Sequence, residues 1–276
     1  MRVKKRIFSG AVCEQLVYTI PDGEDPKKAK PQLRFRDLLQ RAAHKLGISR
    51  RRFIRIVNAT FSPRSYYCTL TFDMENEVHT FAEARRIRTI YRRRLQRINP
   101  QAALVIVMGR GRNTNRIHFH MLADGLTAEQ IRMRWTFGNV EHCEHLRAHC
   151  YYGNGAMKRD YGQDYTGLAN YLFNHWTEEQ GGHRYMATAT CCKPEEETPM
   201  EAKRSYSSQK PPRAPKGYKL VETTVTSYGF AVYKYILYST MAHRPQAANL
   251  DSAYPGRDYD DFGADGMPLK KSLVNV

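Results

Sequence analysis

No apolar run in this sequence approaches the ~18–20 residues that a membrane-spanning helix needs, and no G-x-x-x-x-G-K-[ST] segment occurs. A transmembrane helix and an ATP-driven helicase built on a phosphate-binding loop are therefore not expected. The opening stretch MRVKKRIFSGAV is basic, but its apolar part is too short for a secretory signal. Acidic residues are scarce beside basic ones, 27 Asp and Glu against 44 Lys and Arg, which gives a net charge of +17. Cysteine is also sparse. With no secretory signal, six thiols in 276 residues read as reduced cysteines in a cytosol, not as a disulfide framework. No internal repeat is apparent.

The excess of positive charge, with 18 Tyr and 11 Phe, points to a polyanionic partner, and nucleic acid fits best. An anionic membrane surface is the other reading that charge alone allows. Arginine is concentrated in three places. RRIRTIYRRRLQR carries Arg85, Arg86, Arg88, Arg92, Arg93, Arg94 and Arg97 on one expected helix, GRGRNTNR carries Arg110, Arg112 and Arg116, and Arg50, Arg51, Arg52 and Arg55 form a third cluster. Phosphate contacts of this kind position a nucleic acid without reading its sequence. Arg85, Arg86, Arg92, Arg93, Arg110, Arg112 and Arg116 are the expected DNA-binding set, with the hairpin arginines at the mouth of the site. The bland reading of such runs is a solvated helix face.

Punctuation along the chain sets the expected organisation. Residues 1–59 form a basic N-terminal extension that includes the turn-rich PDGEDPKKAKP, a helical pattern in LRFRDLLQRAAHKLGIS, and RRRFIRIVNATF, which reads as a strand. YYCTLTF reads as a strand by its aromatic and β-branched content. Thr80 and Thr127 are placed to cap helices, and Phe81, Ala84, Ile87, Tyr91, Leu95 and Ile98 form an apolar stripe. ALVIVMG and RIHFHML are adjacent strands across a turn, and NVEHCEHLRAHC holds another. TGLANYLFNHWTEEQ is a helix ended by Gly181–Gly182, with Tyr165, Leu168, Leu172 and Trp176 toward the core, and HRYMATAT is a strand. Residues 195–217 resemble a linker, 218–241 a β-hairpin, and 242–276 an irregular tail. The element order over 60–194 predicts an α+β domain with a central antiparallel sheet and helices on one side or at its ends.

Within that frame, RIHFHMLADG raises the chemical question. His118 and His120 stand two apart on a strand and so share a face, with Phe119 and Met121 on the other. Two same-face imidazoles are either half of a metal site or a pair of part-buried histidines bonded to nearby backbone. On the later helix, Tyr171, Asn174, His175 and Glu178 lie along one polar face. A phenol is a poor nucleophile at its ordinary pKa of ~10, so Tyr171 there is either a surface residue or a nucleophile assisted by a metal or base. HCEHLRAHC offers His142, Cys143, His145, His149 and Cys150, with Cys191 or Cys192 further on. This spacing matches no common zinc pattern and reads equally as strand and loop.

Together these segments resemble the HUH endonucleases, and among them the rolling-circle replication initiators of plasmids and filamentous phages. The His–hydrophobic–His motif is matched by His118, Phe119 and His120, and YYCTLTF resembles the strand underlying the active site. ANYLFNHW resembles the helix of the catalytic tyrosine, with Tyr171 in its place, and GGHRYMATATCCKP resembles the strand that follows. The likeness spans about residues 66–194. It implies a ferredoxin- or RRM-like core and a metal-dependent nicking and joining of single-stranded or hairpin origin DNA through a 5′-phosphotyrosine at Tyr171. The implied cofactor is Mn2+ or Mg2+, with host helicase and polymerase as further partners and the cytoplasm of a bacterial host cell as the implied place. A relaxase or transposase with the same chemistry, or a non-cleaving origin-binding regulator, are the alternatives. The sequence departs from the pattern twice: Asn174 stands where many members have lysine, and Met108 where an acidic residue is frequent. The third ligand is then expected from the tyrosine helix at His175, with Asn174 or Asp73 as substitutes. Tyr165 and Tyr161 are the substitutes for the nucleophile.

Overall fold

The computed structural model describes residues 1–27, 38–111, 114–153, 158–175, 183–225 and 230–241. Arg112, Trp176, Glu178, Gly181, Gly182 and the tail 242–276 lie outside the described residues. From the N-terminus the elements are β1 (Arg2–Ser9), β2 (Val12–Thr19), α1 (Leu38–Thr60), β3 (Tyr66–Thr71), α2 (Phe81–Ile98), β4 (Ala103–Arg110), β5 (Ile117–Asp124), α3 (Ala128–Arg134) and β6 (Val140–His145). Then come β7 (Tyr151–Tyr152), β8 (Arg159–Asp160), α4 (Thr166–Asn174), β9 (Met186–Ala187), β10 (Glu195–Glu196), β11 (Met200–Glu201), β12 (Tyr218–Val225) and β13 (Ala231–Leu237). The fold is α+β with antiparallel sheets.

The principal sheet runs β6-β3-β5-β4-β9, so the strand carrying the paired histidines is central. Its two faces are covered by different helices. Leu70, Phe72, Ile106, Met108, Phe119 and Met121 pack with Phe81, Ala84, Tyr91 and Leu95 of α2 and with Ile131 beside α3's end at Trp135. Tyr67, Val105, Val107 and Leu122 point the other way, onto Phe53 and Val57 of α1 and Leu168, Ala169, Leu172 and Phe173 of α4. Helices therefore lie on both faces, not on one side or at the ends. Both α2 and α3 start with the capping boxes that Thr80 and Thr127 suggest, closed by Glu83 and Gln130.

RRRFIRIVNATF, expected as a strand, is the second half of α1. Phe53 and Val57 recur at four-residue spacing and Phe61 continues the stripe just past the helix end, where its N–H donates to the Val57 carbonyl. A strand would have put Phe53, Arg55 and Val57 on one face and buried a guanidinium among apolar groups. Each large side chain buried in this layer contributes ~1.5–3 kcal/mol, enough to decide the local ambiguity.

A second sheet runs β10-β1-β2-β13-β12, with β11 also on β1. It joins the N-terminal hairpin to the 218–241 hairpin, pairing Val17 with Ala231 and Cys13 with Tyr235. The segment 195–217 contributes β10 and β11 and lays Tyr206 and Ala214 on the cluster of Cys13, Tyr233 and Tyr235. The turn of the first hairpin meets α1 at Gly10, where an added Cβ would lie 2.2 Å from the Asn58 carbonyl oxygen and φ is +57°. Only glycine tolerates both conditions.

A polar seam holds this second sheet against α1 and the start of α4. Arg55 donates to Glu14 at 2.5 Å, and Lys234 Nζ contacts Asp164 Oδ2 at 2.5 Å and Thr166 Oγ1 at 3.0 Å. Asp164 Oδ1 accepts from the Thr166 N–H and hydroxyl, and Asn58 Oδ1 accepts from the Tyr165 N–H. Asp164 has 0% of its side chain exposed. Burial by itself would lower the Lys234 pKa, but the facing Asp164 carboxylate, with Glu222 and Glu14, holds it above its ordinary value of 10.5. A raised lysine pKa stabilises the fold fully at neutral pH, and that contribution is lost only as pH rises through the folded-state value. Replacing Lys234→Met strands a buried carboxylate, so urea denaturation at neutral pH is expected to show a loss of ~3–5 kcal/mol. Adding Asp164→Asn should recover part of it. A single variant as stable as the native chain would remove this seam from the account of the fold.

Candidate metal centre

On β5, Phe119 and Met121 enter the α2 side of the core while His118 and His120 face the α4 side. In the sheet register His118 lies between Thr71 on β3 and Gly109 on β4, and His120 between Thr69 and Val107. His175 follows the last residue of α4, and its backbone N–H donates to the Leu172 carbonyl. It swings over the same face of the sheet. Its ring centroid is 4.4 Å from that of His120 and 6.1 Å from that of His118. Among the described residues, His118, His120 and His175 form the set of potential ligands whose donor atoms, within 4.8 Å of one another, could hold a metal ion.

Gly109 makes this convergence sterically feasible. A Cβ there would stand 2.9 Å from both His118 Nε2 and His175 Cδ2, closer than real Cβ atoms come. The glycine leaves a cradle for two imidazole edges, which is the observation that fits the residues to a bound cation.

The three rings are each oriented through Nδ1. His175 Nδ1 donates to the Tyr171 carbonyl at 2.9 Å, four residues back on the same helix. His118 Nδ1 donates to the Arg116 carbonyl at a longer 3.4 Å. A carbonyl can only accept, so both rings carry the proton on Nδ1 and present an Nε2 lone pair. His120 Nδ1 lies 2.8 Å from the Tyr67 hydroxyl and 3.4 Å from Thr69 Oγ1, partners able to donate or accept. His118 Nε2 and His120 Nε2 are 3.1 Å apart. Two arrangements satisfy that distance. Either Tyr67 donates to His120, whose Nε2–H then donates to His118, or His120 donates to Tyr67 and both lone pairs turn to a cation. Tyr67 thus lets His120 exchange tautomers without moving. This is the oriented imidazole set that metal sites use.

Tyr171 is half-buried beside the triad, its ring centroid 4.3 Å from that of His175 and 5.6 Å from that of His120. The substitutes fare differently. Tyr165 is 2% exposed and donates its hydroxyl to the Arg147 carbonyl at 3.0 Å, while Tyr161 packs edge-on against Tyr152. Asn174 Oδ1 accepts from Arg50 at 3.0 Å, and Asp73 Oδ1 closes a turn by accepting from the Asn76 N–H and amide at 2.8 Å each. Neither joins the cluster.

Met108 requires a correction. It pairs with Phe119 and is 1% exposed in the α2 layer, so its side chain is on the face away from the histidines. The β4 positions beside the histidines are Val107 and Gly109. The strand supplies no third ligand because one of its site-facing positions is apolar and the other has no side chain.

The arginines also divide by face. Arg85, Arg86, Arg92 and Arg93 belong to α2, behind the sheet from the triad. Arg110 lays its guanidinium over Phe81 of α2, 5.0 Å from the ring centroid, so it does not line the mouth of the triad. Arg116 pairs with Glu77 at 2.9 Å and donates to the Phe72 carbonyl. Its role at the triad is through its own carbonyl, on His118.

The Cys- and His-rich segment disperses. The Cys68 thiol donates to Cys143 Sγ at 3.1 Å, which lowers the Cys143 pKa and raises that of Cys68. His145 contacts the Arg64 carbonyl, His149 pairs with Asp160, and burial pushes the Cys150 thiol up to about 12. Sequence reading did not single out Tyr67, Thr69 or Gly109. The signal for the first two was period-two spacing: Tyr67, Thr69 and Thr71 share the histidine face. No family model, curated protein or solved structure matches this chain.

If these contacts orient the triad, Tyr67→Phe should lower Mn2+ affinity by about 10–100-fold in calorimetric titration. Gly109→Ala should lower it at least as far, with little change in urea stability. Unchanged Mn2+ binding in both variants would sink the assignment of these residues as supports of a metal site.

Proposed function

We propose that this chain is a metal-dependent nuclease of the HUH type, which nicks and rejoins single-stranded DNA through Tyr171 to initiate rolling-circle replication. The observation that carries the reading is the placement of one phenol beside three oriented imidazoles, with the nucleophile candidate on α4 and the third ligand four residues later at its C-cap. The net charge of +17 supports a polyanionic substrate.

His118, His120 and His175 would hold a divalent cation, which when bound supplies Lewis-acid polarisation of a phosphodiester oxygen. Three imidazoles with no carboxylate put Mg2+, a hard ion that favours oxygen, at a disadvantage against Mn2+ or a softer metal. Tyr171 then does the chain's own chemistry. Its phenol loses a proton and its Oη forms a bond to phosphorus as the bond from phosphorus to the 3′ oxygen breaks. The 3′ oxygen takes up a proton, leaving a 3′-hydroxyl and a 5′-phosphotyrosine. The reverse attack by a 3′-hydroxyl rejoins the strand without ATP, because the phosphotyrosine keeps the bond energy. The Nδ1–H of His175, held on the Tyr171 carbonyl, keeps the ligand and the nucleophile in one helical turn.

The test is a labelled pool of random-sequence single-stranded oligonucleotides incubated with Mn2+ and resolved on a denaturing protein gel. The native chain is expected to acquire a covalent label that chelator prevents and that Tyr171→Phe abolishes. His175→Ala should greatly reduce it. A label that survives Tyr171→Phe would overturn the assignment of the nucleophile, and no label from the native chain with any divalent metal would overturn the nuclease reading.

A further inference from the structure

We propose that the second sheet carries a nucleic-acid subsite of its own, a basic cavity between β1 and the loop 202–213 that takes the phosphates of a single strand. The inference does not draw on the reading of the triad, since neither the histidines nor any residue of α4 lines this cavity.

The cavity has a volume of about 580 Å3. Sites for small organic groups span ~300–1,000 Å3, so a nucleotide unit is within its capacity. Lys4, Lys203, Arg204, Lys210 and Arg213 line it, with Glu201 as the one carboxylate among the lining residues. Met200, Tyr206 and Pro211 supply an apolar wall.

The loop is fixed to the sheet at both ends. Met200 of β11 pairs with Lys4 of β1, and the Ala202 N–H donates to the Arg2 carbonyl at 2.8 Å. At the far end the Tyr235 hydroxyl donates to the Pro212 carbonyl at 2.7 Å, and Arg6 Nη2 reaches the Arg213 carbonyl at 3.4 Å. Between them Tyr206 packs on Cys13, Tyr233 and Tyr235. The Ser207 N–H donates to the Lys210 carbonyl and the Lys210 N–H to Ser207 Oγ, each at 3.1 Å. The cations are therefore carried on a backbone that is already in place before any ligand arrives.

Their charge is unmatched, while that of their neighbours is matched. Further along β1, Lys5 pairs with Glu196 of β10 and Arg6 with Glu197. Among the described residues, none of the five cations of the cavity makes an ion pair, and Glu201 makes none either. Like charges gathered round one hollow repel one another. A run of phosphates turns that repulsion into attraction and releases its counterions. The apolar wall favours a strand over bare phosphate, because sugar and base can cover it while the phosphates meet the cations. A bilayer surface does not enter a concavity of this size.

The experiment titrates the full-length chain with a short labelled oligothymidylate over a range of salt concentrations, in chelator so that no metal contributes. For single strands each phosphate contact contributes ~0.7 to the slope of log affinity against log salt. The pair Lys203→Ala with Arg204→Ala, and the pair Lys210→Ala with Arg213→Ala, are each expected to lower the slope by ~0.7–1.4. All four side chains are exposed, so neither pair endangers the fold. Acetylation of lysines, read by peptide mass spectrometry, localises the effect: saturating oligothymidylate should protect Lys203 and Lys210. Thymidine triphosphate, or vesicles of phosphatidylcholine with phosphatidylserine, should not protect them at equal phosphate concentration. Unchanged slopes in both pairs would overturn the subsite, as would acetylation of both lysines that ignores the oligonucleotide. Equal protection by the triphosphate or by vesicles would overturn a strand as the occupant. A chain that forms no covalent label yet shows the slope loss and the protection keeps this subsite and loses the nuclease reading. A chain that forms the Mn2+-dependent label without them keeps the nuclease reading and loses the subsite.

Discussion

Three imidazoles meet in this molecule because β4 presents no side chain beside the first histidine of β5. Gly109 is the constraint on which the candidate site depends. Any Cβ there would press on His118 and His175 together, so at least one of the two rings would have to turn out of its present place. The central strand contributes the rest through its period of two, which directs Phe119 and Met121 into one core and keeps His118 and His120 out of it. Burying imidazoles on a central strand is costly unless their nitrogens are satisfied. The carbonyls of Arg116 and Tyr171 and the hydroxyl of Tyr67 meet that requirement at Nδ1. What remains is a set of Nε2 atoms brought close enough that a proton or a cation must lie between two of them.

The helix that completes the site is anchored from far away in sequence. Its first turn is fixed by Asp164, which bonds Thr166, and by Lys234 from the last strand of the second sheet. Glu14, from the first hairpin, reaches Arg55 on α1. Residues near both termini of the described chain thus hold α1 and α4 in register. A buried ion pair adds little net stability compared with apolar residues of the same shape. Its effect here is directional: it ties the start of α4, the helix that carries Tyr171 and ends at His175, to the last strand of the second sheet.

The parts of this arrangement that were legible in the sequence are those written in local patterns. His-Phe-His on an apolar strand gives two same-face ligands, the Thr80 and Thr127 caps fix where α2 and α3 begin, and the spacing of Tyr171 and His175 puts them on one helical face. The strand reading of RRRFIRIVNATF failed because a short apolar run fits both periods, and only the partners of Phe53 and Val57 on α4 decide between them. The second sheet was not legible because β2 and β13 are more than two hundred residues apart and no local pattern specifies such a pairing. Met108 was set at the position of a site residue, and Arg110 and Arg116 at the mouth of the site, by position along the chain. The sheet sends alternate residues to opposite faces, so sequence proximity to the histidines was a poor guide to spatial proximity.

That separation of faces changes what the charge can do. Exposed charges are screened beyond about 8 Å at physiological ionic strength. A helix packs with its axis ~10 Å from the layer beneath it, so the outward guanidiniums of α2 are well beyond a screening length from the triad. The seven arginines of α2 can raise the concentration of a polyanion near the protein, and any phosphate they touch is touched on the back of the sheet. Orientation at the triad requires groups within a few ångströms of it. On the described face those are side chains of α1, α4 and the segment before β9. The number of arginines on a helix therefore measures attraction, and the face on which a single arginine stands determines whether it can align a substrate.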